Sequence, residues 1–268
     1  MSGLLRYVTK LYDSQWIPHG VFIELTHTCN LRCLHCYVPD KGSSLSVSSL
    51  KEVFRQLRDM GVLKVTLSGG ELLTRYDWYE IACAAKKDNL YLSLFTNATC
   101  IDEVNADKIA SLMPLELEVS VYGGSEEVYH RATGRRGAFK AFERGLRLLK
   151  ERDVNVFLKV VTMRETAKAY EETLRYAESS GFPIRVRFDP QLLPKDDGAN
   201  MQRLTDEEMI NIFLIEGLKG FSPQPFSKCS IGKKGLVIGP DGSLRPCIGF
   251  PEIIGNVLSG PIVEMWRD

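Results

Sequence analysis

The chain has 268 residues, of which 44% are hydrophobic and 25% are charged, a composition typical of a globular protein that can bury a substantial core. Its 34 basic and 34 acidic residues leave no net charge, and no long basic run indicates a nucleic-acid partner. Residues 1–20 lack the apolar segment of a signal peptide, and no later apolar run is long enough to cross a membrane, so we expect a cytoplasmic protein.

Six short apolar or β-branched runs alternate with amphipathic segments, the order typical of parallel strands joined by crossover helices. Six units are too few for a closed eight-stranded barrel. The pattern therefore predicts an α/β fold built on an open, partial (β/α)6 TIM-like barrel, with its active site at the carboxyl ends of the strands. The predicted strands are Val21–Thr26, Leu63–Ser68, Tyr91–Phe95, Glu116–Val121, Val154–Val161 and Ile184–Asp189.

The first crossover segment has the pattern of a helix that lies on the outside of the sheet. Ser49 and Glu52 have the spacing of a capping box at its start. An apolar stripe from Leu50 to Met60 follows at helical spacing and ends before Gly61.

Three of the seven cysteines follow the first predicted strand closely, in the pattern C-x3-C-x2-C formed by Cys29, Cys33 and Cys36. In a cytosolic chain, clustered cysteines indicate metal ligands or reactive thiols. A four-iron cluster normally has four thiolate ligands, so three would leave one iron open to the amine and carboxylate of a small molecule. The alternative is a structural zinc site completed by His27 or His35, although the loop lacks the second cysteine knuckle that such sites usually have.

This cysteine pattern resembles the C-x3-C-x-aromatic-C signature of the radical S-adenosylmethionine (SAM) superfamily. The resemblance implies that Cys29, Cys33 and Cys36 hold a 4Fe-4S cluster and that the chain binds SAM. His35 stands at the aromatic position of the signature, where the family's side chain packs near the adenine.

The resemblance extends to the ends of the next three strands. The segment from Ser68 to Glu71 is similar to the family's Gly-Gly-Glu motif, which receives the methionine amino group; glycines permit close backbone approach, and a carboxylate suits an ammonium group. Polar residues after the third and fourth strands resemble positions that contact the ribose or the methionine. The resemblance thus implies these cofactor-binding residues: His35, Gly69, Gly70, Glu71, Asn97 and Ser120.

The sequence after residue 198 has a different pattern, and we predict an N-terminal extension (1–20), a barrel core (21–198) and a C-terminal module with a leading helix (199–268). Within the module, Gly235–Gly239 and Ser243–Cys247 flank an Asp-Gly pair, a strong signal for a β-hairpin. The module resembles the opening half of a SPASM or Twitch extension, in which Cys229 and Cys247 are candidate ligands of an auxiliary iron-sulfur cluster. The further cysteines of that extension are missing, so the chain is truncated after Asp268, uses other ligands, or has lost the cluster.

The resemblance implies a radical SAM oxidoreductase in which an external one-electron reductant drives cleavage of SAM to a 5′-deoxyadenosyl radical. Asp189, at the end of the sixth predicted strand, is the candidate general base. The stretch Tyr122–Gly134 looks most like enzymes that mature ribosomally synthesised peptides. A peptide substrate is therefore expected, with a separate leader-peptide recognition protein as partner. The competing interpretations are a Twitch-type dehydrogenase or epimerase acting on a sugar or aminoglycoside, and a non-catalytic zinc-binding interaction protein.

Overall fold

The computed structural model describes residues 3–38, 42, 44–187, 202–215, 231–250 and 252–267. Two of the candidate residues, Asp189 and Cys229, lie outside the described residues. The boundary predicted at residue 198 also lies outside them, so the division into core and module stays a prediction.

One sheet of nine strands runs through the described part of the chain. The strands are β1 (Gly20–Glu24), β2 (Lys64–Ser68), β3 (Tyr91–Thr96), β4 (Glu116–Val121), β5 (Val156–Val161), β6 (Ile184–Arg187), β7 (Gly235–Ile238), β8 (Ser243–Arg245) and β9 (Gly255–Asn256). Their order is β6-β5-β4-β3-β2-β1-β7-β8-β9, and neighbours from β6 to β7 are parallel. All six predicted strands form, with small shifts at their ends, and the predicted end of the sixth, Asp189, lies outside the described residues. The sheet is open, which confirms the α/β class and the partial barrel.

Helices alternate with the strands along the described chain, and several pack against the outer face of the sheet. They are α1 (Gly3–Gln15), α2 (Val47–Asp59), α3 (Trp78–Lys87), α4 (Glu103–Leu112), α5 (Glu126–Thr133), α6 (Ala138–Lys150), α7 (Arg164–Ala167), α8 (Tyr170–Ser179), α9 (Asp206–Ile215) and α10 (Ile262–Arg267). Phe54, Ile81 and Phe142 pack from the helices into the core with no exposed surface. Of the helices described, none is long and apolar enough to cross a bilayer.

The two faces of the sheet have opposite chemistry. On β4, Leu117 and Val119 are completely buried under the helices. Alternate side chains of the same strand, Glu116, Glu118 and Ser120, point to the inner face because successive strand residues face opposite sides. Both faces of a parallel sheet are usually apolar. A charged inner face therefore marks this surface as the place for a ligand.

Helix α2 begins earlier than its sequence pattern predicted. Its N-cap is Ser46, whose hydroxyl accepts a hydrogen bond of 3.1 Å from the backbone N–H of Ser49. The predicted capping box of Ser49 and Glu52 is therefore wrong, because Ser49 is already inside the first turn. The Glu52 carboxylate instead accepts hydrogen bonds from Arg55 and Gln56, one turn further along the same helix.

The predicted C-terminal hairpin forms, and it extends the barrel sheet. Strands β7 and β8 are antiparallel, with Val237 opposite Arg245. Strand β7 also pairs in parallel with β1, where Leu236 lies opposite Val21. This second pairing was not predicted, because residues so far apart in sequence carry no local signal of their contact. It places the hairpin beside the strand that leads into the three cysteines.

Candidate active site

A cavity of about 680 Å³ lies on the charged inner face of the sheet. It extends from the first residues of strands β2 and β4, Lys64 and Glu116, to the turns beyond their carboxyl ends. Nearly every predicted site residue within the described part of the chain lines it: Cys29, Cys33, His35, Cys36, Gly69, Gly70, Glu71, Asn97, Ser120 and Cys247. Residues from five separate chain segments therefore meet in one space.

The cysteine loop, residues 25–45, carries three free, half-buried thiols. Its first part is held against α5, since the N–H groups of Arg32 and Leu34 donate to the carbonyls of Thr133 and Ala132. The chain then turns tightly, with the N–H of Cys36 donating to the carbonyl of Cys33 over 3.0 Å. This backbone pairing, and not side-chain packing alone, directs the thiols into the cavity.

Burial, with smaller contributions from the nearby Glu71, Cys36 and Cys100, raises the pKa of the Cys29 thiol to about 11. Burial also raises the pKa of Cys33, more strongly, although the Tyr122 hydroxyl beside it offsets part of this effect. Metal ligation requires the thiolate form of cysteine. A positively charged metal centre would supply the stabilisation that these thiols lack.

A single zinc ion and a four-iron cluster place different demands on these thiols. Among the residues that the structure describes, no group of three His, Cys, Asp or Glu side chains converges as the ligands of one metal ion. A zinc site requires all its ligand atoms within about 2.3 Å of one centre. A four-iron cluster binds each thiolate at a different iron, so its ligands stand further apart. The three cysteines bring three sulfur donors, one for each of three irons, to the wall of the same cavity.

His35 lies in the same loop with its ring against Tyr122, at a centroid distance of 5.4 Å. Burial, with a contribution from Lys159, lowers the pKa of His35 to about 4. The ring is therefore neutral near pH 7 and offers a flat, uncharged surface to the cavity. Its Nδ1 atom is buried and has no hydrogen-bond partner among the described residues.

The two glycines of the Gly-Gly-Glu turn pack against the backbone of the cysteine loop. A Cβ atom added at Gly69, whose φ is +140°, would lie 2.4 Å from the carbonyl oxygen of Thr26. The backbone N–H of Gly70 donates to that oxygen over 2.7 Å, and the N–H of Glu71 donates to Thr28 over 2.9 Å. The sequence suggested that these glycines make room for the cofactor. In the structure, the space that they leave is filled by the start of the cysteine loop.

Glu71 joins this turn to the end of β3. Its carboxylate, 2% exposed, accepts hydrogen bonds from the Thr96 hydroxyl (2.7 Å) and from the backbone N–H groups of Asn97 (2.8 Å) and Leu73 (3.2 Å). Burial raises the pKa of Glu71, and these donors oppose the rise. Binding of an ammonium group by Glu71 stays a prediction, and most of the acceptor capacity of its carboxylate is already used within the protein.

Asn97 supports the first cysteine. Its side-chain N–H donates to Asn30 over 3.0 Å and lies 4.0 Å from the Cys29 sulfur, while its Oδ1 accepts from the backbone and hydroxyl of Thr99. The amide is thus occupied by the loop on one side and by Thr99 on the other. Contact of Asn97 with the ribose or the methionine stays a prediction.

Ser120 lies opposite Lys159 on the neighbouring strand β5. The Lys159 ammonium group is 3.2 Å from the Glu118 carboxylate and sits over the ring of Phe95 at 5.5 Å. At the other end of the cavity, Lys64 and Glu116 form a second ion pair of 2.7 Å. The charges on the inner face are therefore paired with each other across strands.

A buried network connects the cysteine loop to the C-terminal hairpin, and sequence reasoning missed it. Arg245 donates from Nη2 to the carboxylate of Glu24, which is 3% exposed, and the Tyr37 hydroxyl lies against the same carboxylate. Burial and this carboxylate raise the pKa of Tyr37 well above its usual value. Glu24 ends β1, and Cys247 follows Arg245 closely, with its sulfur accepting the N–H of Gly249 at 3.4 Å. No local pattern links residues 24, 37 and 245.

Comparison with known proteins identifies the family of the chain. Residues 23–177, more than half of the chain, match the Radical SAM superfamily. The chain is 26% identical to the antilisterial bacteriocin subtilosin biosynthesis protein AlbA of Bacillus subtilis over 89% of its own length and 57% of AlbA. It is 30% identical to the AdoMet-dependent heme synthase of Methanosarcina barkeri, over 94% of this chain and 82% of that protein.

The fold has solved counterparts. Streptococcus suis SuiB bound to its precursor peptide SuiA superposes with a TM-score of 0.73 over 98% of this chain and 68% of SuiB, at 16% sequence identity. Because the chain spans only about half the length of AlbA, its whole activity and its substrate are matters for proposal. The family match and the cavity lined by the cysteine loop lead to one conclusion: this chain belongs to the radical SAM superfamily, whose cofactors are SAM and a 4Fe-4S cluster.

Proposed function

We propose that this protein is a radical SAM oxidoreductase that modifies a ribosomally synthesised peptide. The observation that carries the proposal is the meeting of the cysteine loop, the Gly-Gly-Glu turn and the charged inner face of the sheet in one cavity of about 680 Å³. A volume of this size is within the usual range for small-molecule sites, and the chemistry requires SAM and the reacting part of the substrate to lie side by side.

Cys29, Cys33 and Cys36 would hold the cluster, and the turn from Gly69 to Glu71 would hold the methionine end of SAM. When bound and reduced by an external one-electron donor, a cluster held there would supply the electron for cleavage of the carbon–sulfur bond of SAM to methionine and a 5′-deoxyadenosyl radical, which would remove hydrogen from the substrate. The protein itself binds and orients SAM and the substrate, and it excludes water from the cavity. Neutral His35 offers a surface for the adenine, and Ser120 faces the region expected for the ribose.

Two ion pairs on the inner face are available to orient the substrate. The pairs Lys159–Glu118 and Lys64–Glu116 lie beside the cavity and can exchange their partners for polar groups of a substrate. Asp189 remains the proposed general base. An auxiliary cluster that uses Cys229 and Cys247 remains a proposal, to which Cys247 contributes a sulfur on the cavity wall.

The peptide substrate is supported by AlbA, which serves bacteriocin biosynthesis, and by the likeness to SuiB with its precursor peptide. A second candidate is a tetrapyrrole, favoured by the heme synthase because that relative is 30% identical over 82% of its length. Oxidation or epimerisation of a sugar or aminoglycoside is a third candidate activity, and zinc binding without catalysis is a fourth role. A leader-peptide recognition protein is the partner proposed for a peptide substrate.

Anaerobic reconstitution with iron and sulfide tests the chemistry. We expect about four irons per chain and, after reduction with SAM, formation of 5′-deoxyadenosine; about eight irons would indicate the auxiliary cluster as well. The triple variant Cys29→Ala, Cys33→Ala, Cys36→Ala should lose both iron and product. The matched control Cys83→Ala, at an exposed cysteine of α3, should keep both. Stoichiometric zinc without iron, or product from the triple variant, would contradict the proposal.

Substrate class is tested by mass spectrometry on the active enzyme. Candidate precursor peptides, tetrapyrroles and aminoglycosides are incubated separately with enzyme, SAM and reductant. A mass change in a peptide that depends on SAM supports the first candidate. If only a tetrapyrrole or only an aminoglycoside is turned over, the peptide is not the substrate, and that other compound class takes its place.

A further inference from the structure

Arg75 forms hydrogen bonds to both ends of the cysteine loop. Its Nη1 donates to the carbonyl of Leu25 over 2.9 Å, and its Nη2 donates to the carbonyl of Leu45 over 2.7 Å. Leu25 directly follows β1, and Leu45 lies just before α2. One side chain therefore closes the segment that contains all three clustered cysteines.

Asp77 holds the Arg75 guanidinium in this position. Its two carboxylate oxygens accept from Nε over 2.5 Å and from Nη2 over 3.0 Å, a two-point pairing that fixes the plane of the guanidinium. The side chains of Arg75 and Asp77 are 9% and 11% exposed, so water does not replace these bonds easily. A lysine could keep the charge at position 75, but it has a single nitrogen and cannot reach all three partners in one plane.

The same arginine also ends the Gly-Gly-Glu turn. The turn continues from Glu71 into a short 3-10 helix, Leu72–Thr74, and the N–H of Arg75 donates to the carbonyl of Leu72 over 3.1 Å. Thr74 bonds back to the carbonyls of Glu71 (2.7 Å) and Thr28 (3.3 Å). Arg75 thus belongs to the segment expected to bind SAM and is anchored to the loop expected to bind the cluster.

We propose that Arg75, oriented by Asp77, is a positioning residue that fixes the cysteine loop relative to the Gly-Gly-Glu turn, and so sets how SAM meets the open iron. Closing the ends of a long loop removes much of its conformational freedom. Reacting groups must be placed to within a fraction of an ångström for efficient reaction. This inference rests on the proposed radical SAM chemistry.

The test compares Arg75→Lys and Asp77→Asn with the control Arg58→Lys, whose arginine pairs with Asp59 and Asp88 on the surface. Each full-length variant is reconstituted anaerobically. Iron content, the electron paramagnetic resonance signal of the reduced cluster with and without SAM, and the rate of 5′-deoxyadenosine formation per cluster are measured. We expect both test variants to lose most of the signal change caused by SAM, and Arg75→Lys to react about tenfold more slowly per cluster. Arg58→Lys should match the wild type.

Amide hydrogen exchange on the same proteins gives a readout that does not depend on turnover. Exchange at residues 32–36 should be faster in Arg75→Lys than in Arg58→Lys, while exchange in α2 stays unchanged. If Arg75→Lys fails to fold, Asp77→Asn provides the test of the proposal, because it keeps the arginine and loses only the group that orients it. The inference would be overturned if a test variant were less heat-stable but kept the wild-type spectra and the wild-type rate per cluster. Failure of the wild type to bind iron or to form 5′-deoxyadenosine would instead overturn the proposed function.

Discussion

A Cβ atom added at Gly70 would lie 2.4 Å from the carbonyl oxygen of Thr28, a distance that real side chains do not reach. The next nearest atom is the carbonyl oxygen of His27 at 2.7 Å, so backbone surrounds this position. The Gly-Gly-Glu turn and the cysteine loop are therefore in direct contact, and a change in one must move the other.

Gly70→Ala should disturb both cofactors. The methyl group has to push the cysteine loop away, so we expect lower iron content as well as weaker SAM binding, with a stability loss of about 1–3 kcal/mol from overpacking. Iron analysis, SAM titration and urea unfolding measure these effects. Gly260→Ala is the matched control, since a Cβ atom there meets nothing within 4 Å. Normal iron content with weakened SAM binding would mean that the loop tolerates the displacement.

Arg245→Gln should destabilise the protein and loosen the C-terminal hairpin. Loss of the arginine leaves the Glu24 carboxylate, 3% exposed, without its cationic partner, and breaking a buried pair in this way costs roughly 3–5 kcal/mol. Urea unfolding gives the free energy, and hydrogen exchange in β7 reports the loosening.

Two further variants distinguish a buried ion pair at Arg245 from an exposed one. Addition of Glu24→Gln to Arg245→Gln should restore much of the lost stability, because no buried charge then remains. Arg147→Gln, which removes an exposed pair with Glu151 at the C-cap of α6, should have little effect. Equal losses in Arg245→Gln and Arg147→Gln would argue against a buried network.

The Arg75–Asp77 pair should make stability depend on pH in the acid range. Hydrogen bonding from Arg75 holds the pKa of Asp77 below its usual value near 3.8. The carboxylate therefore stabilises the folded protein above this unfolded-state pKa, and its contribution is lost as the pH falls through the lower folded-state pKa. Unfolding free energies of the wild type and Asp77→Asn should differ most at pH 6, and the difference should shrink steadily as the pH falls below 3.8. A difference that stays constant with pH would exclude this linkage.

Ser46→Ala should weaken the start of α2, immediately after the cysteine loop. The variant removes the hydroxyl that caps the N–H of Ser49, a loss of about 1 kcal/mol. Ser48→Ala, at a neighbouring serine whose hydroxyl lies 2.8 Å from that of Ser46 and does not cap the helix, should cost less. Thermal unfolding followed by circular dichroism compares the two. An equal loss of stability in Ser46→Ala and Ser48→Ala would mean that the Ser46 hydroxyl is not the helix cap.

Local patterns were sufficient for the strands, the outer helices and the C-terminal hairpin. Alternating and helical periodicities arise from backbone geometry, and an Asp-Gly pair favours a tight turn wherever it occurs. The exact start of α2 was harder to predict, because Ser46 and Ser49 are both acceptable caps and only the path of the preceding loop selects between them. The C-x3-C-x2-C spacing and the Gly-Gly-Glu motif were equally local, so sequence alone led to the superfamily.

Only the tertiary structure decided what those motifs contact. The pairing of β7 with β1, the Glu24–Arg245 ion pair and the bonds from Arg75 to Leu25 and Leu45 join residues with no shared local pattern. Gly70 illustrates the difference: its residue type indicated that something approaches closely, and the fold identified the neighbour as Thr28. Sequence periodicity specifies which face of an element is buried, whereas the partners across a sheet or loop depend on how the whole chain closes.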